Sequence, residues 1–179
     1  LPDGSMLAQA EHIPVHLGAM PASVAAVLER FDAEPGAQYA VNDPYAGGTH
    51  LNDLTIVSPV FVEGQLVAWV GNRAHHADVG GESPGSMPAH ATTVDQEGIR
   101  VAPMPAVRGG VWIDDFLEPF LAATRTPRER QGDLSAQIGA NRVGVQRITD
   151  LIERQTSDTF HTVTMALLDY GQRRMGAAI

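Results

Sequence analysis

The sequence predicts an α+β fold: a hairpin-containing sheet with Gly/His-rich loops, and a pair of long helices towards the C-terminal end. Three observations predict it. Two β-rich runs, 54–62 and 65–70, are separated only by Glu63-Gly64, which reads as a hairpin turn. Thr126-Pro127-Arg128-Glu129 combines a capping box with proline at the first helical position and opens a long helical pattern. Glycine, proline and histidine crowd the chain to about Gly110 and then thin out, dividing it into a strand-and-loop part (1–110) and a helical part (111–179). At 179 residues the two parts are expected to share one domain with a real core.

Taken in order, Leu1-Pro2-Asp3-Gly4 reads as a turn between strands, as though the sequence began within a longer chain. Met20 to Phe31 is an expected helix, with Pro21 at its first position and Val24, Val27, Leu28 and Phe31 at helical spacing. Pro59 within the first β-run predicts an edge or a bulge. Ile99 to Val101 is a candidate short strand. The helix opened at Thr126 is expected to reach about Arg154, its apolar stripe being Leu134, Ile138, Val145, Ile148 and Ile152. Ser157 is a candidate cap for a second helix carrying Phe160, Val163, Leu167 and Tyr170 on one side, packed antiparallel to the first. Asp133, Gln137 and Asn141 form a polar stripe at spacings of four, a solvated face on spacing alone but, if the helix packs tightly, a row expected to hydrogen-bond to loops. Gly132, Gly139 and Gly144 each cost a helix about 0.8–1 kcal/mol against alanine, so close backbone approach is expected to offset them.

Composition excludes several chemistries. The formal charge is −9 and all twelve basic residues are arginine, so no basic stripe invites nucleic acid or an anionic membrane. Without lysine there is neither a Schiff base nor the lysine of a phosphate-binding P-loop. Without cysteine there are no disulfides, thiolate zinc sites or cysteine nucleophiles, which suits a reducing cytoplasm. No apolar run approaches the ~20 residues of a membrane-spanning helix. A metal, if held, takes nitrogen and oxygen from histidines and carboxylates.

Two loops carry the candidate chemistry. The first, 42–53, joins tight Asn-Asp-Pro and Gly-Gly turns to His50 and Asp53, whose spacing of three lets both aim at one point. The same spacing suits a hydrogen-bonded loop histidine and a strand cap. The second, 71–87, follows the hairpin and holds His75, His76 and Asp78. Adjacent histidines on a strand point to opposite faces, so one of the two at most can be a direct ligand there. Gly80 to Ser86 lacks the Gly-Lys-Ser/Thr ending of a nucleotide loop, although its backbone could form an anion nest. Ser83 or Ser86 as a nucleophile would need a base that sequence does not assign. Glu11, His12 and His16 are either supporting groups or surface residues.

Several segments together resemble the hydantoinase B/oxoprolinase family, which includes N-methylhydantoinase B, the C-terminal part of oxoprolinase and the acetone carboxylase alpha subunit. They are 11–18 (EHIPVHLG), 42–53, 74–81 (AHHADVGG), 84–87 (PGSM) and 125–141, in the family's order. The resemblance implies a divalent metal (Zn, Mn or Fe), and by match of motif its ligands fall on His50, Asp53 and His75. It implies a further glutamate ligand in a family segment ahead of Leu1, and a long portion beyond Ile179, so that the chain is expected to be a fragment or small subunit of a larger B-type unit. It further implies a partner of the hydantoinase A type that binds ATP and activates a carbonyl by phosphorylation. The expected function is the metal-dependent component of a cytoplasmic, ATP-dependent cyclic amidohydrolase opening an oxoproline- or hydantoin-like ring. His76 and Asp78 would orient ligands or relay protons. The alternatives are an acetone carboxylase-type fragment and a non-catalytic, partner-binding remnant.

Overall fold

A computed structural model describes residues 1–10 and 14–179. Glu11 and His12 lie outside the described residues. The elements are α1 (His16–Leu28), β1 (Gln38–Val41), β2 (Asp53–Val62), β3 (Gln65–His75), β4 (Met104–Arg108), β5 (Val111–Trp112), α2 (Asp114–Ala123), α3 (Pro127–Gln155) and α4 (Ser157–Gly176). The strands form one antiparallel sheet in the order β3-β2-β1-β4-β5. The fold is α+β, with helices gathered towards the C-terminal end.

The period-two alternation of β2 and β1 builds two cores, one on each face of the sheet. Leu54, Ile56 and Ala40 bury with Phe116 and Phe120 of α2 and Leu134 and Ile138 of α3. On the other face, Val57 and Tyr39 bury against Val27 of α1, with Trp69 of β3 packed at the margin. The sheet is therefore sandwiched between α1 on one side and α2 with α3 on the other.

The hairpin turns at Glu63-Gly64, both at positive φ. Pro59 lies opposite Trp69, just past Val57, where β1 stops pairing, and a register shift follows between Val60 and Phe61. Its missing N–H therefore costs the β1 side no ladder bond. Strand β3 runs to His75, five residues beyond the expected end, because Gly71, Arg73 and His75 alternate with Asn72 and Ala74 as a strand requires.

Other expectations needed correction. The first helix begins at His16 and ends at Leu28, with Pro21 inside it. The 99–101 run is not a strand: it ties loops together, the N–H of Ile99 donating to Val79 and Val101 accepting from Asn42 and Asp43. Thr156, at φ +80°, caps α4 in place of Ser157, its hydroxyl accepting from the N–H of Thr159. The α4 stripe is not buried, for Val163, Leu167 and Tyr170 remain about half exposed. Close approach holds at one glycine of the three: a Cβ on Gly144 would meet Val70 Cγ1 at 2.7 Å, whereas Gly132 and Gly139 face open space. No helix among the described residues is long and apolar enough to cross a membrane.

A candidate metal centre

Asp53 opens β2 and His75 closes β3, and the register pairs them directly across the hairpin. Cross-strand partners share a face, so carboxylate and imidazole meet on the α1 side. His50 joins from the turn before β2, which is closed by the Asp53 N–H donating to the His50 carbonyl at 3.0 Å. That turn is held against α1. A side chain on Gly47, at φ +86°, would run into the Ala22 carbonyl of α1, and Ser23 Oγ donates to the Gly47 carbonyl at 2.6 Å. Behind it, the fully buried Asn42 donates to Leu51 and Ile99 carbonyls and accepts from the Val101 N–H. Asn52 ties the same turn to the His76 and Gly85 carbonyls.

The Asp53 carboxylate is the hub. Its Oδ2 lies 2.8 Å from His50 Nδ1 and accepts from Thr49 Oγ1 at 2.7 Å; its Oδ1 lies 3.3 Å from His75 Nδ1. One ligand atom from each of His50, Asp53 and His75 lies within 4.8 Å of the others. Asp53 is buried, whereas the His75 side chain is 55% exposed, so the cluster is anchored within the fold and open on one side. Two imidazoles and one carboxylate are a donor set suited to zinc and to other hydrolytic divalent metals. The residues present fit such an ion.

Neighbours that sequence reasoning undervalued complete the surroundings. His16 Nε2 is 3.9 Å from Asp53 Oδ2. Arg73, one rung below His75 on the same face, donates from Nε to Thr55 Oγ1 and from Nη2 to Ser23 Oγ, both at 2.7 Å, and its Nη1 lies 3.2 Å from His16 Nδ1. Burial lowers the Arg73 pKa, partly offset by the charge of Asp53. The signal for Arg73 was the strand alternation itself, hidden by reading Gly71 as the start of a loop.

His76 and Asp78 are placed elsewhere. His76 turns to the opposite face and is buried edge-on against Phe120, the ring centroids 5.6 Å apart. Its Nε2 is 2.8 Å from Gln137 Oε1, and the Gln137 amide nitrogen donates to the Leu54 carbonyl and Asn72 Oδ1. The Gln137 oxygen must therefore accept, which puts the proton on His76 Nε2. Burial lowers the His76 pKa, against the raising effect of the Gln137 bond, and keeps the ring neutral. Asp78 accepts from the Arg125 backbone at 2.7 Å, from Gly80 and from Ser86 Oγ, and it pairs with the Arg125 guanidinium. Burial alone would raise its pKa; those hydrogen bonds and that cation together outweigh it and lower the value. Ser86 Oγ also accepts from the Val79 and Gly81 N–H groups, so it staples the loop.

The family model for hydantoinase B/oxoprolinase matches residues 1–179. 5-Oxoprolinase 1 of Arabidopsis thaliana is 38% identical over 86% of this chain, which spans 13% of that protein. The crystal structure of the ATP-dependent caprolactamase of Pseudomonas jessenii superposes with a TM-score of 0.92 at 31% identity, covering 97% of this chain and 30% of that one. The nucleotide-free structure of an acetone carboxylase shares the fold, with a TM-score of 0.80 at 24% identity over 88% of this chain and 21% of its own. The chain thus spans a third or less of the relatives it matches. With the family model matched from end to end, the chain belongs to the hydantoinase B/oxoprolinase family.

Proposed function

We propose that this chain supplies the metal-holding part of an ATP-dependent hydrolase that opens the C–N bond of a cyclic amide. The observation that carries the reading is the cross-strand pairing of Asp53 with His75, joined by His50, in a chain of this family. A divalent ion, Zn, Mn or Fe, would be held by His50, Asp53 and His75 and would supply Lewis acidity towards a carbonyl oxygen. Asp53, held by Thr49, orients both imidazoles.

We assign His76 and Asp78 a positioning part. His76 pins the end of β3 to α3 through Gln137, and Asp78 pins the following loop to Arg125, so both act on His75 through the backbone. ATP is bound by a partner of the hydantoinase A type, as the lack of lysine here and the ATP dependence of the caprolactamase support. ATP chemistry also suits a cytoplasmic setting.

The test is calorimetric titration of the purified chain with zinc and manganese, followed by lactam hydrolysis after an A-type partner and ATP are added. Wild type is expected to bind one ion, and His50→Ala and Asp53→Asn to bind about tenfold or more weakly, as expected for the loss of one ligand or its charge. Equal affinity in wild type and both variants would sink the assignment. ATP turnover by the chain alone would sink the division of labour.

A further inference from the structure

The α1 face of the hairpin is graded along its length. From the open end downward its rungs are Asp53 with His75, Thr55 with Arg73, Val57 with Gly71 and Pro59 with Trp69. The first rung offers metal ligands, the second a cation, the third no side chain from β3, and the fourth a large aromatic. Where Gly71 leaves room, a cavity of about 470 Å³ lies along this face, walled by the first ten residues and α1 and reached by Ile148 of α3 and Phe160 of α4. Its wall is apolar over most of its extent, through Met6, Leu7, Met20, Val24 and Trp69, and turns polar at His16 and Arg73. That polar end is also the metal end, since His16 lies beside Asp53 and Arg73 beside His16. The volume falls within the ~300–1,000 Å³ typical of small-molecule sites, which are mostly apolar with a few convergent polar groups.

Resting on the function proposed above, we propose that this cavity receives the hydrocarbon body of the substrate, with its amide end at Arg73 and His16, and that Met20, Val24 and Trp69 set which bodies fit. The substrate class is an uncharged ring amide in preference to one bearing a carboxylate. Binding a carboxylate in a fork takes two parallel N–H groups of a guanidinium. In Arg73, Nε is directed to Thr55, Nη2 to Ser23 and the Ala19 carbonyl, and Nη1 towards His16, so no complete fork faces the cavity and an amide oxygen, which needs a single donor, is served by the second Nη1 N–H.

Trp69 lines the cavity and reports on its occupancy. The chain has two tryptophans, so a Trp112→Phe background isolates Trp69. Titration of the full chain in this background with ε-caprolactam is expected to change Trp69 emission saturably, and with 5-oxoproline to do so about tenfold more weakly. Val24→Phe fills the cavity and is expected to weaken the ε-caprolactam response about tenfold, with zinc affinity unchanged. Gly71→Ala narrows the cavity independently: the new methyl meets the flexible Cε of Met20 at 3.1 Å and makes an ordinary 3.7 Å contact with the Ile56 carbonyl. Circular dichroism establishes that each variant is folded. His50→Ala is expected to bind zinc about tenfold or more weakly, whereas Val24→Phe keeps wild-type zinc affinity, so failure of the metal reading and failure of the cavity reading are separable. No saturable response, tighter binding of 5-oxoproline, or undiminished binding in both folded variants would overturn the proposal.

Discussion

At the scale of single residues, Gln137 shows how much one amide can hold. It joins β2 through the Leu54 carbonyl, β3 through Asn72, and the segment after β3 through His76, while sitting on α3. Gln137→Ala removes hydrogen-bond partners from the buried His76 and Leu54 groups and from Asn72, and is expected to destabilise the fold by about 1–3 kcal/mol, read from chemical denaturation. A change within ~0.5 kcal/mol would be that of a surface position. The expectation that Asp133, Gln137 and Asn141 are hydrogen-bonded holds for the last two, although their partners are mainly the sheet strands and not loops, and fails for Asp133. Gln137 and Asn141 are buried, whereas Asp133 is half exposed and pairs with Arg130 at 2.8 Å. A helical turn advances 100° per residue, so positions four apart drift around the axis, and only the packed sheet decides where the stripe leaves the core.

His76 and Asp78 also predict a pH response. His76 titrates below the ordinary 6.5 in the folded chain. The unfolded chain therefore takes the proton first, and stability is lost as pH falls below about 6.5 towards the lowered folded value. Asp78, likewise lowered from 3.8, contributes stability above that value that disappears as pH falls through its own folded pKa. His76→Gln should flatten the dependence of the unfolding midpoint between about pH 7 and pH 5, where histidine titrates. A slope identical to wild type would mean that this ring does not titrate as its burial implies.

At the scale of elements, the long periodic segments were readable and the short ones were not. α3 announces itself through Pro127 at its first position and sustained periodicity, although the expected capping box does not form and Thr126 makes no side-chain cap bond; the hairpin announces itself through its turn pair. β1 has four residues, β5 has two, β4 contains Pro105 and α2 contains Pro119, so none repeats a pattern long enough to recognise. The glycines of α3 separate two kinds of position that the sequence lumped together. Gly132→Ala and Gly139→Ala meet nothing and should each stabilise by up to about 1 kcal/mol through helix propensity. Gly144→Ala drives a methyl against Val70, whose branched side chain has little freedom to yield. Thermal melts should therefore rise for the first two variants and fall for the third; a rise for Gly144→Ala would show that α3 and β3 can separate there without cost.

At the scale of the whole molecule, the ligand cluster bridges the end of the hairpin and the turn held on α1, so metal binding and folding should be linked. Zinc at a hundredfold its Kd should add about 2.7 kcal/mol to the unfolding free energy, and the same zinc concentration should add about 1.4 kcal/mol or less in Asp53→Asn. An equal shift in that variant would place the ion elsewhere. The grouping of His50, Asp53 and His75 was legible through the family's motifs, and the turn away of His76 through strand alternation. The hub role of Asp53, the row beneath it and the cavity were not legible, because all three depend on which residue of β3 stands opposite which residue of β2.

That register gives the doubled histidine a further meaning. A strand displaced by one residue presents its other face, and at most positions such a misalignment would erase a site. Here a one-residue frame error of β3 against β2 would exchange His75 for His76 and still set an imidazole beside Asp53, while it broke the Gln137 lock and removed Arg73 from its rung. The misaligned hairpin could mimic the ligand cluster but not the support beneath it. Proofreading of the strand alignment therefore falls to the neutral, buried side of the sheet, where Gln137 accepts one imidazole in one alignment.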